Sequence, residues 1–140
     1  LQYSYNELGK SFSTVDNYFE IATSAIKEMY RQVGVPQLNK NGIMKKGLMI
    51  RHLILPNQTK NSKQILKWIK ENLDNNIYVS IMAQYFPTYK AKTEEYKEIN
   101  RKLTKMEWEA IEEYVDSLDF ENGFIQELGE HEEEYVPKWW

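Results

Sequence analysis

No cysteine occurs among the 140 residues of the sequence, and this absence excludes several kinds of site. Disulfide bonds, thiolate zinc sites and cysteine-held iron–sulfur clusters all need cysteine side chains, so this chain cannot build any of them by itself. Proteins of reducing compartments do not depend on disulfides, and we therefore expect a cytoplasmic location.

Long apolar runs, a positive net charge and familiar catalytic motifs are also missing. No stretch approaches the roughly 18 apolar residues of a membrane-spanning helix, so we expect no membrane association. The net charge of −3 makes nucleic acid an unexpected partner. The sequence has no serine–histidine–acid set, P-loop or GxGxxG motif, so it shows no recognisable catalytic group.

The composition is that of one globular domain. Hydrophobic residues make up 41% and charged residues 28% of the chain, and a chain of this length can bury a core. We find no internal repeat or linker, so residues 1–140 are interpreted as a single unit with an acidic tail over 129–140. The chain begins with Leu1 rather than methionine, and we expect it to be part of a longer protein.

The first third of the chain has a helical pattern followed by a turn. Apolar residues recur at three- and four-residue steps from Val15 to Val33, which predicts one helix that Thr14 caps and Gly34 ends. The sequence QLNKNGIMKK follows and contains an Asn-Gly pair, which predicts a loop or a short hairpin.

Two apolar stretches predict buried parallel strands. GLMIRHLILP (residues 47–56) and IYVSIMAQYF (residues 77–86) are apolar on both faces, as strands of a covered parallel sheet are. A short amphipathic helix, capped by Ser62, is predicted between them. Two strands joined through a helix form a βαβ unit with parallel strands and a right-handed crossover.

The last third of the chain predicts two more helices and a short strand. Helical spacing over residues 93–103 predicts the first, and Thr104 with Glu107 predicts a capping box for the second, whose apolar side includes Met106. GFIQEL (residues 123–128) predicts a final short strand. The order of elements indicates an α/β protein built from successive βα units.

Polar side chains interrupt one face of each predicted strand. Because side chains alternate along a strand, Arg51 shares a face with Met49 and Leu53, whereas Ser80 and Gln84 share a face of the second strand. Arginine offers a planar charged fork that suits a carboxylate or a phosphate. A buried ion pair with an acid elsewhere in the sheet explains Arg51 equally well, and these residues alone do not decide between the two.

The two histidines are interpreted as non-catalytic. His52 points away from the face of Arg51, and a single histidine makes no metal site, so we expect a hydrogen-bonded core histidine. His131 lies in the run EHEEE, which is more typical of a solvated acidic tail than of a metal-binding tract.

Several blocks of the sequence together resemble a known family. GLMIRHLILP, YVSIMAQYFPTYKA and LDFENGFIQEL look like the C-terminal half of radical S-adenosylmethionine proteins, in the branch similar to the pyruvate formate-lyase activating enzyme. The opening YSYNELGKSFSTVDNYFEIATSAIKEMYRQVG resembles the same branch after its fourth strand, so the similarity covers nearly the whole chain. The resemblance implies the second half of an incomplete (β/α)6 TIM-like barrel.

The resemblance also implies a cofactor site at the carboxyl ends of the strands. Relatives place an arginine five residues before the proline of the fifth strand against S-adenosylmethionine, and Arg51 has that position here. Met82 and Tyr85 fall near cofactor-contacting positions, with Tyr85 in place of a histidine. Gln2 stands where this branch usually has a lysine. Gln84 is included among the cofactor-site residues because it lies on the inward face of the predicted strand, and not because of the family resemblance.

The same resemblance limits what this chain is expected to do. The CxxxCxxC motif that binds the [4Fe–4S] cluster and the glycine-rich cofactor segment lie in the family's N-terminal half. The fragment should therefore have no catalytic or metal-binding residue and no activity alone. The resemblance implies that the longer parent protein is an iron–sulfur oxidoreductase, which uses that cluster to cleave S-adenosylmethionine reductively. It also points to a protein glycyl radical site as the substrate of the parent.

The expected partners follow from the half barrel. The missing N-terminal half would complete the sheet, and self-association would offer a second way to cover it. Both expectations rest on open sheet edges and on apolar faces, including Leu48, Ile50 and Ile81, that would need cover.

Two other interpretations remain open. The chain fits a cysteine-free α/β ligand-binding or interaction domain that shares only the βα pattern. It also fits a small complete enzyme that uses Arg51 on a phosphate or carboxylate. An upstream CxxxCxxC motif would favour the radical S-adenosylmethionine interpretation over both.

Overall fold

The structure is a computed structural model that describes residues 1–125. Within these residues the chain forms four α-helices, five β-strands and two 3₁₀-helices. The α-helices are Asn6–Ser13 (α1), Tyr18–Val33 (α2), Thr59–Asn72 (α3) and Lys105–Leu118 (α4). The strands are Gln37–Leu38 (β1), Met44–Lys46 (β2), Met49–Leu53 (β3), Tyr78–Met82 (β4) and Gly123–Ile125 (β5).

Strands β3, β4 and β5 form a parallel sheet with β4 in the centre. The register places Met49 opposite Tyr78 and Arg51 opposite Ser80. Helix α3 connects β3 to β4. Neighbouring parallel strands need a crossover connection of this kind, because a tight turn cannot join them. The predicted α/β class with parallel βα units is confirmed, although both strands are shorter than the predicted ranges 47–56 and 77–86.

One face of this sheet forms the main core. Ile50, Val79 and Ile81 are at most 3% exposed and pack against the apolar sides of α3 and α4. The helices contribute Ile65, Leu66, Ile69, Trp108, Ile111 and Val115. The expectation that Leu48, Ile50 and Ile81 need cover from another molecule is wrong, because helices of the same chain bury them.

The predicted single helix from Val15 to Val33 is wrong at its start. The chain instead forms α1 and α2, and the linking residues Thr14 and Asn17 have φ angles of 54° and 55°. A residue in the left-handed region cannot continue a right-handed helix. Thr14 therefore ends α1 rather than capping the second helix, which begins after Asn17.

Two further helix predictions are corrected by the structure. Helix α3 begins at Thr59, so Ser62 is a buried residue of its first turn and not its cap. Residues 93–103 do not form one α-helix. Instead, two 3₁₀-helices, Tyr89–Lys92 and Glu94–Ile99, precede α4. Thr93 between them is extended, with φ −87° and ψ 161°, so no continuous helix runs through this residue.

Helix α4 begins as predicted. Thr104 and Glu107 form the capping box, each side chain bonding to the backbone N–H of the other residue. Met106, however, is 79% exposed and does not lie on the apolar side of the helix. It stands five residues before the buried Ile111, which places it about 140° away around the helix axis.

The predicted hairpin is confirmed. β1 pairs with β2 in antiparallel orientation, and hairpin residues line a cleft together with the first residues of β3 and β4. The predicted continuation of β5 over residues 126–128 and the acidic tail over 129–140, which includes His131, lie outside the described residues. Of the helices in residues 1–125, none is long and apolar enough to cross a bilayer.

Candidate functional site

The sheet face opposite α3 and α4 is open, and we call it the open face. It carries the residues that alternate with the core residues of each strand: Met49, Arg51 and Leu53 on β3, Tyr78, Ser80 and Met82 on β4, and Phe124 on β5. All seven are exposed or half-buried. Arg51 and Ser80, which the sequence placed on polar faces of two strands, are direct neighbours across the β3–β4 pair.

Arg51 is exposed on the open face and has no acidic partner there. Its Nη2 lies 2.9 Å from Sδ of Met82, and a thioether sulfur is only a weak acceptor. Among residues 1–125 no carboxylate forms a salt bridge with it. The described part of the chain therefore supplies no structural ion pair for Arg51, and the geometry of its charged fork suits an anion.

Gln2 lies beside the carboxyl end of β3. Its side-chain Nε2 donates to the carbonyl oxygen of Leu53 at 2.9 Å, and the nitrogen of Leu1 donates to the carbonyl oxygen of Arg51 at 3.0 Å. The first residues of the chain therefore run along the edge of β3 that faces away from β4. The structure brings Gln2 and Arg51 to the same end of the sheet.

Gln84 and Tyr85 lie beyond the end of β4, which closes at Met82. Gln84 is exposed in the following loop, so its predicted place on a strand face is wrong. Tyr85 packs against a second apolar cluster, which includes Leu55 and Tyr3. Its hydroxyl is buried without a hydrogen-bond partner in the described region, and this burial raises the pKa of the Tyr85 hydroxyl.

His52 is the hydrogen-bonded core histidine that the sequence predicts. It is fully buried. Its Nδ1 lies 2.9 Å from the carbonyl oxygen of Leu1, and its Nε2 lies 2.8 Å from Oγ of Ser62. A carbonyl can only accept, so Nδ1 carries the proton and Nε2 accepts from the serine hydroxyl. Burial lowers the pKa of His52 to about 4, which keeps the ring neutral at pH 7.

Asn61 is an important residue that the sequence interpretation missed. It is 2% exposed, its Nδ2 donates to the carbonyl oxygen of Gln2 at 2.9 Å, and its Oδ1 accepts from the backbone nitrogen of Ser4 at 2.7 Å. One signal was available, because Asn61 precedes the buried Ile65 by four residues and so lies on the apolar side of α3. A polar residue at such a position needs a buried partner.

A polar network fixes the loop that follows β3. The guanidinium of Arg101 forms two 2.8 Å bonds with the carboxylate of Glu107, and Glu107 also accepts from the backbone nitrogen of Asn57 at 2.7 Å. Arg101 donates to Oδ1 of Asn57 as well. These bonds connect the carboxyl end of β3 to the start of α4, and Arg101 beside the carboxylate lowers the pKa of Glu107 to about 2.

Glu107→Gln is expected to lower the free energy of unfolding by about 1–2 kcal/mol at pH 7, a range reduced because Arg101 is partly exposed to solvent. The folded pKa of Glu107 lies below its unfolded value of about 4.3. Its contribution is therefore present above pH 4.3 and is lost as the pH falls towards 2. Urea unfolding at several pH values should show the difference between wild type and variant shrinking across that window.

Glu109→Gln is the matched control for this prediction. Glu109 lies on the same helix and pairs with Lys105 at 3.4 Å, but both side chains are more than half exposed, so the change should have little effect at any pH. A Glu107→Gln difference that stays constant from pH 7 to pH 2 would contradict the assigned role of the Arg101 pair.

Neither a metal site within residues 1–125 nor a matching protein family is found. No group of three or more histidine, aspartate or glutamate residues within 1–125 could hold a metal ion. No family model matches the chain, and no solved structure matches it. An uncharacterized protein of Methanocaldococcus jannaschii is 34% identical over 123 residues, which cover 86% of this chain and 31% of that protein. The chain thus spans about a third of the length of this relative.

Proposed function

We propose that this chain is the C-terminal half of an incomplete (β/α)6 barrel of a radical S-adenosylmethionine protein, similar to the pyruvate formate-lyase activating enzyme. In this proposal the open face is the inner wall of the barrel. The observation that carries it is the exposed guanidinium of Arg51 on that wall, which has no carboxylate partner within residues 1–125 and lies next to Ser80 in the register. An arginine fork of this kind suits the carboxylate of S-adenosylmethionine.

The outer edge of β3 supports the continuation of the sheet. The nitrogen of Ile54 donates to the carbonyl oxygen of Met82, so backbone groups of even-numbered β3 residues face β4 and those of Arg51 face the outer edge. Leu1 bonds to that edge through its nitrogen at Arg51, and Gln2 bonds to it through its side chain at Leu53. The first residues are not a strand of the sheet, but they occupy the edge where the proposed barrel would continue.

The iron–sulfur cluster of the proposed family does not fit this chain by itself. Its usual ligands are thiolates, and none of the 140 residues is a cysteine. We therefore assign this chain no catalytic step. Reductive cleavage of S-adenosylmethionine, and action on a protein glycyl radical site, are proposed only for a longer protein that supplies the CxxxCxxC motif. The relative is longer than this chain, which spans 31% of it, so a sequence of this kind does occur as part of a longer protein.

Arg51→Ala is expected to weaken the binding of S-adenosylmethionine by at least about tenfold, because charge-assisted hydrogen bonds to a carboxylate are lost. Arg51→Lys should lie between wild type and Arg51→Ala, since lysine keeps the charge but not the fork. Isothermal titration of the full chain measures the three affinities. Arg31→Ala is the matched control, because Arg31 is exposed and pairs with Glu28 away from the open face.

Two results would overturn the proposed function. The first is equal affinity of wild type and Arg51→Ala for S-adenosylmethionine, which would remove Arg51 from the site. The second is a complete reading frame without a CxxxCxxC motif upstream of Leu1, which would remove the cluster on which the family's chemistry depends. The ligand-binding and small-enzyme interpretations would then account for the exposed guanidinium of Arg51.

A further inference from the structure

Strand β5 has an outer edge that no other strand of residues 1–125 covers, because it pairs with β4 alone. The nitrogen of Val79 donates to the carbonyl oxygen of Asn122, so the backbone groups of Asn122 and Phe124 face β4, and those of Gly123 and Ile125 face outward. No backbone hydrogen bond within residues 1–125 uses these outward groups. We call them the β5 edge, and an edge of this kind can pair with an added strand.

The β5 edge has a different surface on each side of the sheet. On the side of the helices lies a cleft of about 200 Å³, and its lining residues are Val115, Asp116, Asp119, Phe120, Gly123 and Ile125. On the open face, Phe124 is 52% exposed. The side chains of an added strand would alternate between the two sides. Every second side chain would therefore approach the carboxylates of Asp116 and Asp119, and the others would contact Phe124.

The charge beside the β5 edge is negative. Residues 106–125 contain seven aspartates and glutamates and no lysine or arginine. Two of the seven, Glu107 and Glu109, have cationic partners. The other five form no salt bridge within residues 1–125, and they are Glu112, Glu113, Asp116, Asp119 and Glu121. Lys70 reaches the same turn, but its ammonium bonds to the carbonyl oxygen of Asp119. The local potential therefore favours a cationic partner.

Two occupants that the chain itself could supply have the wrong charge. Residues 126–134 contain five glutamates and no lysine or arginine, so Asp116 and Asp119 would repel them. Pairing of the β5 edge with the same edge of a second copy would bring two sets of these carboxylates together. Like charges placed opposite each other across an interface oppose binding, so a basic segment of another protein fits this edge better than either.

We propose that the β5 edge binds an extended basic segment of another protein, which adds to the sheet as a further strand. Its backbone bonds to Gly123 and Ile125, its lysine or arginine side chains enter the cleft at Asp116 and Asp119, and its apolar side chains contact Phe124. In strand addition, main-chain hydrogen bonds give affinity and side-chain pockets give specificity. The site is separate from the proposed function, because Arg51 lies on β3, on the other side of β4.

Hydrogen exchange of single amides tests whether a strand is added. The probe is the acetylated and amidated peptide Lys-Val-Lys-Val-Lys, which is mixed with the full chain and followed by NMR. The amides of Gly123 and Ile125 gain acceptors, so at saturating peptide they should exchange at least about tenfold more slowly. The amide of Phe124 already faces β4 and should change little, which makes it an internal control.

Three related peptides separate charge from backbone pairing. Glu-Val-Glu-Val-Glu has the opposite charge and should bind at least about tenfold more weakly. The other two keep the lysines and carry N-methyl groups, one on its valine nitrogens and one on its lysine nitrogens. Only alternate backbone groups of an added strand face β5. One N-methylated peptide should therefore lose binding, and the other should keep it.

Variants of the chain test the two carboxylates. Asp116→Asn combined with Asp119→Asn should weaken the lysine peptide about three- to tenfold. Both changes nearly keep the size of the side chain, and asparagine tolerates the φ angle of 51° at residue 119, so the variant is expected to fold. Glu20→Gln is the matched control, because it removes an exposed carboxylate from α2 and should leave the affinity unchanged.

Three outcomes would overturn the proposal. Slow exchange of Gly123 and Ile125 without peptide, at every protein concentration, would show that residues of the same chain cover the edge. Exchange that slows as the protein concentration rises would assign the edge to a second copy. Equal binding of the two N-methylated peptides would show charge attraction without strand pairing. None of these results depends on S-adenosylmethionine or on Arg51, so the proposed function can fail or stand independently.

Discussion

Asn61→Leu is expected to lower the free energy of unfolding by about 2–4 kcal/mol, one of the two largest effects that we predict. Leucine has nearly the shape of asparagine but bonds to neither backbone group that Asn61 holds. The carbonyl oxygen of Gln2 and the nitrogen of Ser4 would each lose a partner in a place that water reaches poorly. Urea unfolding followed by circular dichroism measures the change.

Asn72→Leu is the matched control on the same helix. Asn72 is exposed, and within residues 1–125 its side chain bonds only to the carbonyl oxygen of Trp68 one turn earlier, so its replacement should cost less than about 0.5 kcal/mol. Hydrogen exchange of the Ser4 amide gives a second measurement, since the amide should exchange much faster in Asn61→Leu. Equal unfolding free energies for the two variants would show that the contacts of Asn61 carry little stability.

Gly47→Ala is expected to cost about 3–5 kcal/mol, through two effects that add at one position. The φ angle of 121° is rarely adopted by residues with a side chain. A methyl group would also lie 2.3 Å from Cα of Pro36 and 2.6 Å from its nitrogen. These neighbours are backbone atoms that cannot move aside alone, so the base of the hairpin must shift. Thermal unfolding and the NMR methyl signals of Met44 and Met49 would both report this shift.

Gly42→Ala separates the two effects. Gly42 also has a positive φ, 74°, but a methyl group there would meet no atom within 4 Å. It should therefore show only the backbone cost, about 1 kcal/mol. If Gly42→Ala and Gly47→Ala destabilised the protein equally, the close approach of Gly47 to Pro36 would have no energetic importance.

The parallel βαβ unit was predictable because its signals are local. Two apolar runs end at Pro56 and Pro87, and a helical pattern lies between them. The break between α1 and α2 was not predictable in the same way. It depends on left-handed conformations at Thr14 and Asn17, and the threonine in particular gives no sequence signal for one, because β-branched residues rarely adopt it.

The candidate site was predictable only where the strands are regular. Alternation placed Arg51 and Ser80 correctly, because both lie inside β3 or β4. It failed for Gln84, because β4 ends at Met82 and the alternation of side chains ends with it. Asn61 could not be assigned its role, since its partner Gln2 lies 59 residues away in sequence and no local pattern encodes so distant a contact.

The contacts of the first residues also affect the order of events during protein synthesis. The carbonyl groups of Leu1 and Gln2 are held by His52 and Asn61, which follow 51 and 59 residues later. At about 5–20 residues per second, the ribosome needs roughly 3–10 seconds to add them. An extended segment with unpaired backbone groups attracts other strands during such an interval. Leu1 and Gln2 are thus synthesised first in this stretch but are among the last residues to form their native contacts. Nascent chains should be most open to mispairing and to chaperone capture before α3 is complete.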